Sequence, residues 1–578
     1  MSSHASDTKS GISDRLEDES KILETTVDGL DAIHERVSRG EIPELGVPVN
    51  QEIGIWRRLR EPKPSSDAIA TQPSVFDDPA GLRAYAPPPQ YENTHRFDPL
   101  ARWTWREENA LVRKVDFRIM IWTAFMFSCL ELDRSNITQA NTDNFLVDLG
   151  MTTDDYNLGQ ALFKLCFLCA ELPSQLIAKR VGPEKWLPSQ MVLWSAVALS
   201  QFWLTGRPSF LATRCLLGVL QGGFIPDTVL YLSYFYNKSE LAIRLAFYWA
   251  ALYCADIIGA LLATALLQLD GVGGHAGWRY LFLVEGALTF LVGLASYALM
   301  PTGPTQTKRW SSPKGWFTER EEIIMVNRIL RDDPSKSDMH NRQPLSLHMI
   351  WSALKDWGLW PLYVLGIMHM IPVGPPQAYL TLSLRNLGFT TTQSTLLSIP
   401  ATFLGMCNLL ATSFLSELIK CRTLAAITLP IWALPLLCVL YTFNENTSQW
   451  AYFAVVTLIV GFPYVHPIQV AWTSRNSYSV RTRTISASLY NMTVQAGAIA
   501  YSYIYRTDDA PLYKRGNRIL IIICCINIFL YIGTFFFYRI INQRRDRIWN
   551  AMTPEQRKEY LETTKDEGNK RLDFRFGY

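Results

Sequence analysis

Residues 210–236 read FLATRCLLGVLQGGFIPDTVLYLSYFY, and Arg214 and Asp227 are the only charged side chains among them. A helix needs about 20 residues to cross a hydrocarbon core of about 30 Å, so this run is long enough to cross and turn. A soluble domain has no need of so long an apolar segment. The run predicts a membrane-spanning helix, and the rest of the chain repeats the pattern.

Five comparable runs flank it at 117–133, 158–178, 186–204, 245–269 and 278–300, and six more follow at 358–382, 395–415, 424–443, 450–472, 485–504 and 519–541. The mean hydropathy is only +0.05 because the polar residues are gathered into three stretches, 1–116, 301–357 and 542–578. The two apolar blocks between them, 117–300 and 358–541, are each 184 residues long. Two six-helix halves joined by a long polar loop resemble the arrangement of major-facilitator transporters, whose substrates sit between the halves near the membrane midplane. The expected fold is an all-α membrane protein of twelve transmembrane helices. A largely disordered N-terminal region (1–116), a cytoplasmic central loop (301–357) and a cytoplasmic tail (542–578) complete the expected organisation.

A net charge of +3 without any long basic run speaks against a nucleic-acid partner. All ten cysteines fall inside or at the ends of apolar segments, where they read as small hydrophobes and not as a disulfide framework. Cys166 and Cys169 have a CxxC spacing, but no second pair or nearby histidine completes a metal site. The first thirty residues are acidic and lack an apolar run, so no cleavable leader is expected and the first span itself directs insertion.

Lysine and arginine favour the cytoplasmic side of short loops. With the N-terminus inside, the inner loops carry Lys179, Arg180, Lys185, Lys238, Arg244, Lys420, Arg422, Arg475, Arg481 and Arg483, whereas the first outer loop is acidic. The last outer loop departs from the rule with Arg506, Lys514, Arg515 and Arg518. Both termini and the central loop are therefore expected in the cytoplasm, with the chain in the cell membrane. In the central loop, Thr318 and Glu321 have the spacing of a capping box and predict a cytoplasmic helix. Alternatively, Trp316, Phe317 and Ile323 rest on the membrane surface.

Ionisable residues inside a span are costly and normally face a cavity or a partner. The first span ends Glu131-Leu132-Asp133-Arg134-Ser135-Asn136 near the outer side, which reads either as a site or as the polar end of a helix. Arg214 lies at a comparable depth in the fourth span, and Gln221, seven residues on, falls on the same face about 10 Å deeper. Gly218, Gly222 and Gly223 allow another backbone to approach closely. Guanidinium groups beside a cavity suit an anion, because they stay protonated and grip its oxygens in pairs. Asp133 next to them has the chemistry of a proton-coupling acid.

Weaker candidates follow. Asp227 points about 220° away from Arg214 at 100° per residue and reads as helix packing or a cytoplasmic gate. Asp256 faces either the cavity or a packing partner, and Gln377 follows Pro375-Pro376 in a segment expected to break. Asn491 and Gln495, one turn apart, bind substrate or join helices, and His369 and His466 are proton carriers or satisfied structural histidines.

The Leu-Asp-Arg-Ser-Asn run at 132–136 and the Arg-x-x-Leu-Gly-x-x-Gln-Gly-Gly-x-x-Pro run from Arg214 to Pro226 resemble the anion:cation symporter branch of the major facilitator superfamily, and within it the fungal allantoate permease group. The likeness extends over about 113–547, through Gly277-Trp278-Arg279-Tyr280, Ser474-Arg475-Asn476-Ser477, Tyr490-Asn491-Met492 and the Arg506–Asn517 motif that explains the basic outer loop. It implies proton-driven uptake of a small anion, with Asp133 in coupling and Arg134 and Arg214 in substrate binding. Related carriers often have glutamate where this chain has Gln221, which places more of the coupling on Asp133. The expected substrates are sulfate or sulfonates, in the manner of fungal alternative sulfate transporters. Carboxylates such as allantoate, pantothenate or nicotinate, or export of a secondary metabolite, are the alternatives. Arg134, Arg214, Gln221, Gln377 and Asn491 form the expected binding set. No cofactor, metal or enzymatic activity is expected, and the transporter is expected to act as a monomer.

Overall fold

Inside a bilayer every backbone N–H and C=O must be satisfied within its own segment, which a helix achieves and an open sheet does not. The computed structural model obeys this rule. It describes residues 43–46, 65–77, 82, 85–89, 91–308, 312–334, 336, 351, 353–419, 421–444, 446–477, 480–564 and 568–578, and among them no strand forms.

Helix α1 (Trp105–Val115) runs through a π-turn (Asp116–Met120) into α2 (Ile121–Ala140). Then come α3 (Thr153–Val181), α4 (Pro183–Ser200), α5 (Arg207–Gln221), α6 (Phe224–Ser233), α7 (Lys238–Leu266) and α8 (Gly277–Leu299). The polar loop contributes α9 (Glu319–Asp332). Beyond it lie α10 (Trp360–Met368), α11 (Gly374–Ala378), α12 (Leu380–Asn386), α13 (Thr391–Leu396) and α14 (Ser398–Ile419). The chain ends with α15 (Arg422–Ala426), α16 (Thr428–Thr442), α17 (Gln449–Val460), α18 (His466–Asn476), α19 (Val480–Tyr501), α20 (Lys514–Ala551) and α21 (Pro554–Thr563).

Among the described residues, 7 helical segments are long and apolar enough to cross a membrane. They coincide with the expected second, fourth, fifth, sixth, eighth, ninth and twelfth spans. The other five expected spans are also helical, but each is more polar or interrupted. In the seventh, Pro375-Pro376 splits the segment into α10, α11 and α12, as the prolines predict; the tenth breaks between α17 and α18. Twelve spans are consistent with this arrangement.

The fourth span also breaks, at Gly222 and Gly223. Gly223 has φ +83°, a left-handed conformation that favours glycine. The carbonyls freed at the break are met from α4, where Gln190 Nε2 donates to Leu220 O at 3.1 Å and Gly222 O at 2.9 Å. A Cβ at Gly222 would sit 2.9 Å from Phe167 O and 2.7 Å from Ala170 Cβ, so α3 and the fourth span approach as closely as the small residues predict.

The apolar cores fall on two sides, one drawn from 353–576 and three from 70–330, the latter taking in α9 of the central loop. The contact between these sides is largely polar along α3 and α19, which run antiparallel. Asn157 Nδ2 donates to Tyr505 O (3.0 Å), Lys164 Nζ to Ala498 O (3.1 Å) and Ser502 Oγ (2.9 Å), and Gln175 Nε2 to Ser488 Oγ (2.7 Å). At the ends of α2 and α3 farthest from α9, Thr142 Oγ1 donates to Thr381 Oγ1 at 2.7 Å, Arg385 donates to Thr142 O, and the Tyr379 hydroxyl donates to Asn157.

The central-loop helix starts at the expected capping box, with Thr318 N donating to Glu321 Oε2 at 2.8 Å. It lies on the N-terminal region, which corrects the expectation of disorder for residues 65–77 and 91–116. Arg328 is 3% exposed and donates to Glu240 Oε1 at 3.0 Å and Phe235 O at 2.8 Å, with Glu108 Oε1 3.6 Å away. Lys114 pairs with Glu321 at 2.8 Å and Arg331 with Asp77 at 2.5 Å. Val326 and Leu330 close a small core with Phe76, Leu82 and Tyr91, which gives these segments the apolar burial that composition had hidden. In the N-terminal region, 1–42, 47–64, 78–81, 83–84 and 90 lie outside the described residues. The tail folds back as well: Trp472 Nε1 donates to Gly577 O at 2.6 Å, and Asn542 exchanges two hydrogen bonds with the Phe576 backbone.

Candidate functional site

Between the two sides lies a cavity of about 290 Å³. Helix α2 contributes Glu131, Arg134, Ser135 and Thr138, α7 contributes Tyr253 and Asp256, and Gln377 of α11 faces them. Phe462, Tyr464 and Tyr501 supply aromatic wall from the other side.

Arg134 is the cation of this cavity. Its Nη1 donates to Glu131 Oε1 at 3.1 Å, and its Nε donates to Gln221 Oε1 at 3.1 Å. The guanidinium carbon lies 4.8 Å from the Phe167 ring centre. Glu131 and Arg134 are three residues apart, so they share a face of α2. Gln221 is fully buried and holds the arginine from behind, a contact that the last turn of α5 provides before the break at Gly222.

Arg214 does not line the cavity. It is 1% exposed, donates from Nη2 to Gln160 Oε1 at 3.1 Å, and packs over Phe163 at 4.7 Å. Phe163 also lies 5.9 Å from the Arg134 guanidinium, so one ring separates the two arginines. Asp133 faces another direction. It is 1% exposed and accepts from Trp194 Nε1 of α4 at 3.1 Å, on the side of α2 that meets Thr289 of α8. The expectation that Asp133 stands beside both arginines is thus corrected: the acid paired with Arg134 is Glu131. Gln377 lines the cavity, whereas Asn491 lies on α19 next to Glu171 of α3 and is not part of the cavity wall.

Two charges escaped the sequence reading. Lys164 and Glu171 sit seven residues apart in α3, and with Asn157 they form a heptad stripe facing α19. Lys164 lies behind the cavity wall, 4.1 Å from the ring centre of Tyr501. Their spacing, the same as that of Arg214 and Gln221, was the available signal. His369 and His466 stack at 6.2 Å between centroids, and His466 packs on Tyr490 and Trp249, which favours the structural reading of both. Asp227 accepts from Ser174 Oγ at 3.0 Å beside the break, so packing accounts for its position. Among the described residues no three His, Cys, Asp or Glu side chains gather to hold a metal ion.

The sequence pattern described as Major Facilitator Superfamily matches residues 123–502, which include every helix that lines the cavity. The chain belongs to this superfamily. It is 48% identical over 488 residues to "Uncharacterized transporter YIL166C" of Saccharomyces cerevisiae, an alignment covering 84% of this chain and 90% of the relative. It is 26% identical over 443 residues to "MFS-type transporter efuF" of Hormonema carpetanum, covering 76% and 87% respectively. Two solved structures share the fold. A bacterial homolog of the human lysosomal transporter Spinster, inward-facing and unoccupied, superposes with a TM-score of 0.54 at 14% identity, covering 72% of this chain and 96% of that one. The xylose transporter XylE of E. coli, partially occluded and inward-open, gives a TM-score of 0.54 at 14% identity, covering 73% and 97%. The protein is accordingly a multi-pass membrane transporter of the major-facilitator type.

Proposed function

We propose that this transporter imports a small organic or inorganic anion together with protons, carrying its cargo chemically unchanged across the cell membrane with both termini in the cytoplasm. The observation that carries the reading is the Glu131–Arg134 pair in the cavity wall. While Glu131 is ionised it occupies the guanidinium. A proton on Glu131 weakens that pair and frees Arg134 to grip an incoming anion, so proton and anion enter as partners. In this reading the coupling role expected of Asp133 passes to Glu131. Gln221 cannot take up a proton, and it keeps Arg134 aimed at the cavity through the bond to Nε. Arg214 adds a second positive charge behind Phe163.

Within the superfamily, the motifs at 132–136 and 214–226 favour the fungal allantoate permease branch, and sulfate or sulfonates as cargo, ahead of carboxylates. The cavity volume of about 290 Å³ adds support for an organic anion, since pockets for small organic molecules begin near 300 Å³. The test is uptake of labelled sulfate, a sulfonate and several carboxylates into transport-deficient yeast at two external pH values. Uptake of at least one anion should rise as the outside is acidified. Uptake indifferent to pH would remove the coupling claim, and export without import would reverse the direction.

A further inference from the structure

Apart from its tyrosines, the cavity is lined by one basic side chain, Arg134, and two acidic ones, Glu131 and Asp256. Glu131 is committed to Arg134 at 3.1 Å. Asp256 forms no ion pair among the described residues; its polar neighbours include Ser135, Tyr253 and the acid Glu131. Two carboxylates against one guanidinium make a poor wall for a simple anion. The proposed coupling uses Glu131 and leaves Asp256 without a role.

The surroundings of Asp256 have a chemistry of their own. Tyr253 is three residues away on the same helix and packs on Tyr464 at 6.5 Å, and Tyr464 packs on Phe462 at 6.2 Å. Tyr501 completes the aromatic side of the cavity. Aromatic faces attract organic cations, and a carboxylate beside them strengthens the attraction. Arg134 and Gln377, in the same cavity, suit an oxyanion.

We infer that the substrate is a zwitterion, a small organic molecule whose acid group is held by Arg134 and Gln377 and whose ammonium group is held by Asp256 against the aromatic wall. This rests on the proposed proton-coupled import and narrows it: the oxyanion that Arg134 grips belongs to a molecule of zero net charge, which sets inorganic sulfate aside. The ammonium supplies the positive charge that the cavity lacks, as the counter-ion of Asp256. A bare inorganic anion offers nothing to Asp256 and leaves much of the cavity unfilled.

The test is competitive uptake by cells expressing the full chain, with two matched pairs of compounds. One pair is 2-aminoethanesulfonate and 2-hydroxyethanesulfonate; the other is 3-aminopropanoate and 3-hydroxypropanoate. Within each pair only the ammonium and hydroxyl differ. For the acid group that the transporter accepts, the amine should be preferred about tenfold, and Asp256→Asn should bring that ratio close to one. A wild-type ratio near one, or in favour of the hydroxyl compound, overturns the inference. Proton-dependent entry of the hydroxyl compounds alone overturns it while leaving anion symport intact. Entry of none of the four overturns the inference, and import of other anions is then judged by the sulfate and carboxylate uptake above; entry that survives Arg134→Ala overturns both. If Asp256→Asn does not reach the membrane, thermal unfolding of the purified wild-type transporter decides: the amine must raise Tm more than its hydroxyl partner at equal concentration, and equal shifts overturn the inference.

Discussion

Arg134 is where the physical account is tightest. A guanidinium in the membrane must be neutralised or solvated, and here one neighbour neutralises it while another orients it. Arg134→Ala should lower uptake about 30-fold or more, the cost expected when one partner of a desolvated charge pair is truncated. The variant should still reach the membrane, which surface labelling can check; unchanged uptake at equal surface level would remove Arg134 from the site. Its charge in a span made Arg134 legible from sequence. The choice between Glu131 and Asp133 was legible only in part. Each residue of a helix turns about 100°, so Glu131 lies about 60° from Arg134 and Asp133 about 100° in the other sense. That arithmetic favours Glu131, but which face meets the cavity depends on Trp194 and Thr289, whose positions come from other helices.

Among the elements, α9 shows most clearly what composition conceals. Its capping box was readable, yet the apolar side of a central-loop helix has no stated partner in sequence, because Phe76 and Tyr91 lie more than two hundred residues away. The same distance hid the order in the N-terminal region. Arg328 fastens the two together, with Glu240 at 3.0 Å and Glu108 at 3.6 Å. Arg328→Ala strands two acids in a partly buried place and should destabilise the folded protein by about 3 kcal/mol, read as a lower Tm of the purified transporter. A Tm within error of wild type would show that this cap contributes nothing to stability. Prolines, by contrast, announce the break in the seventh segment because their backbone effect is local; at Gly222 and Gly223 the sequence announces close packing but not the break.

For the molecule as a whole, two apolar blocks of equal length and the spacing of their helices made the superfamily fold readable. The contact between the blocks was not readable at the same level. The α3–α19 seam uses Asn157, Lys164 and Gln175, polar residues that periodicity alone does not pair with Tyr505, Ser502 and Ser488. A long polar seam suits two bundles that must separate and rejoin, since hydrogen bonds can be exchanged for water on one side at a time. Sidedness is a prediction at this scale. A single cysteine introduced at exposed Glu319 in an otherwise cysteine-free chain should react with an impermeant maleimide only after the cells are opened, and one at exposed Asp508 should react in intact cells. The opposite pattern would invert the orientation.

The central claim is that a proton on Glu131 releases Arg134 for the anion. The most direct measurement is uptake by purified transporter in proteoliposomes, with and without an inward proton gradient, for wild type and Glu131→Gln. The gradient should drive accumulation in wild type, whereas Glu131→Gln should still exchange labelled for unlabelled substrate but no longer accumulate it. Gradient-driven accumulation that persists in Glu131→Gln would contradict it.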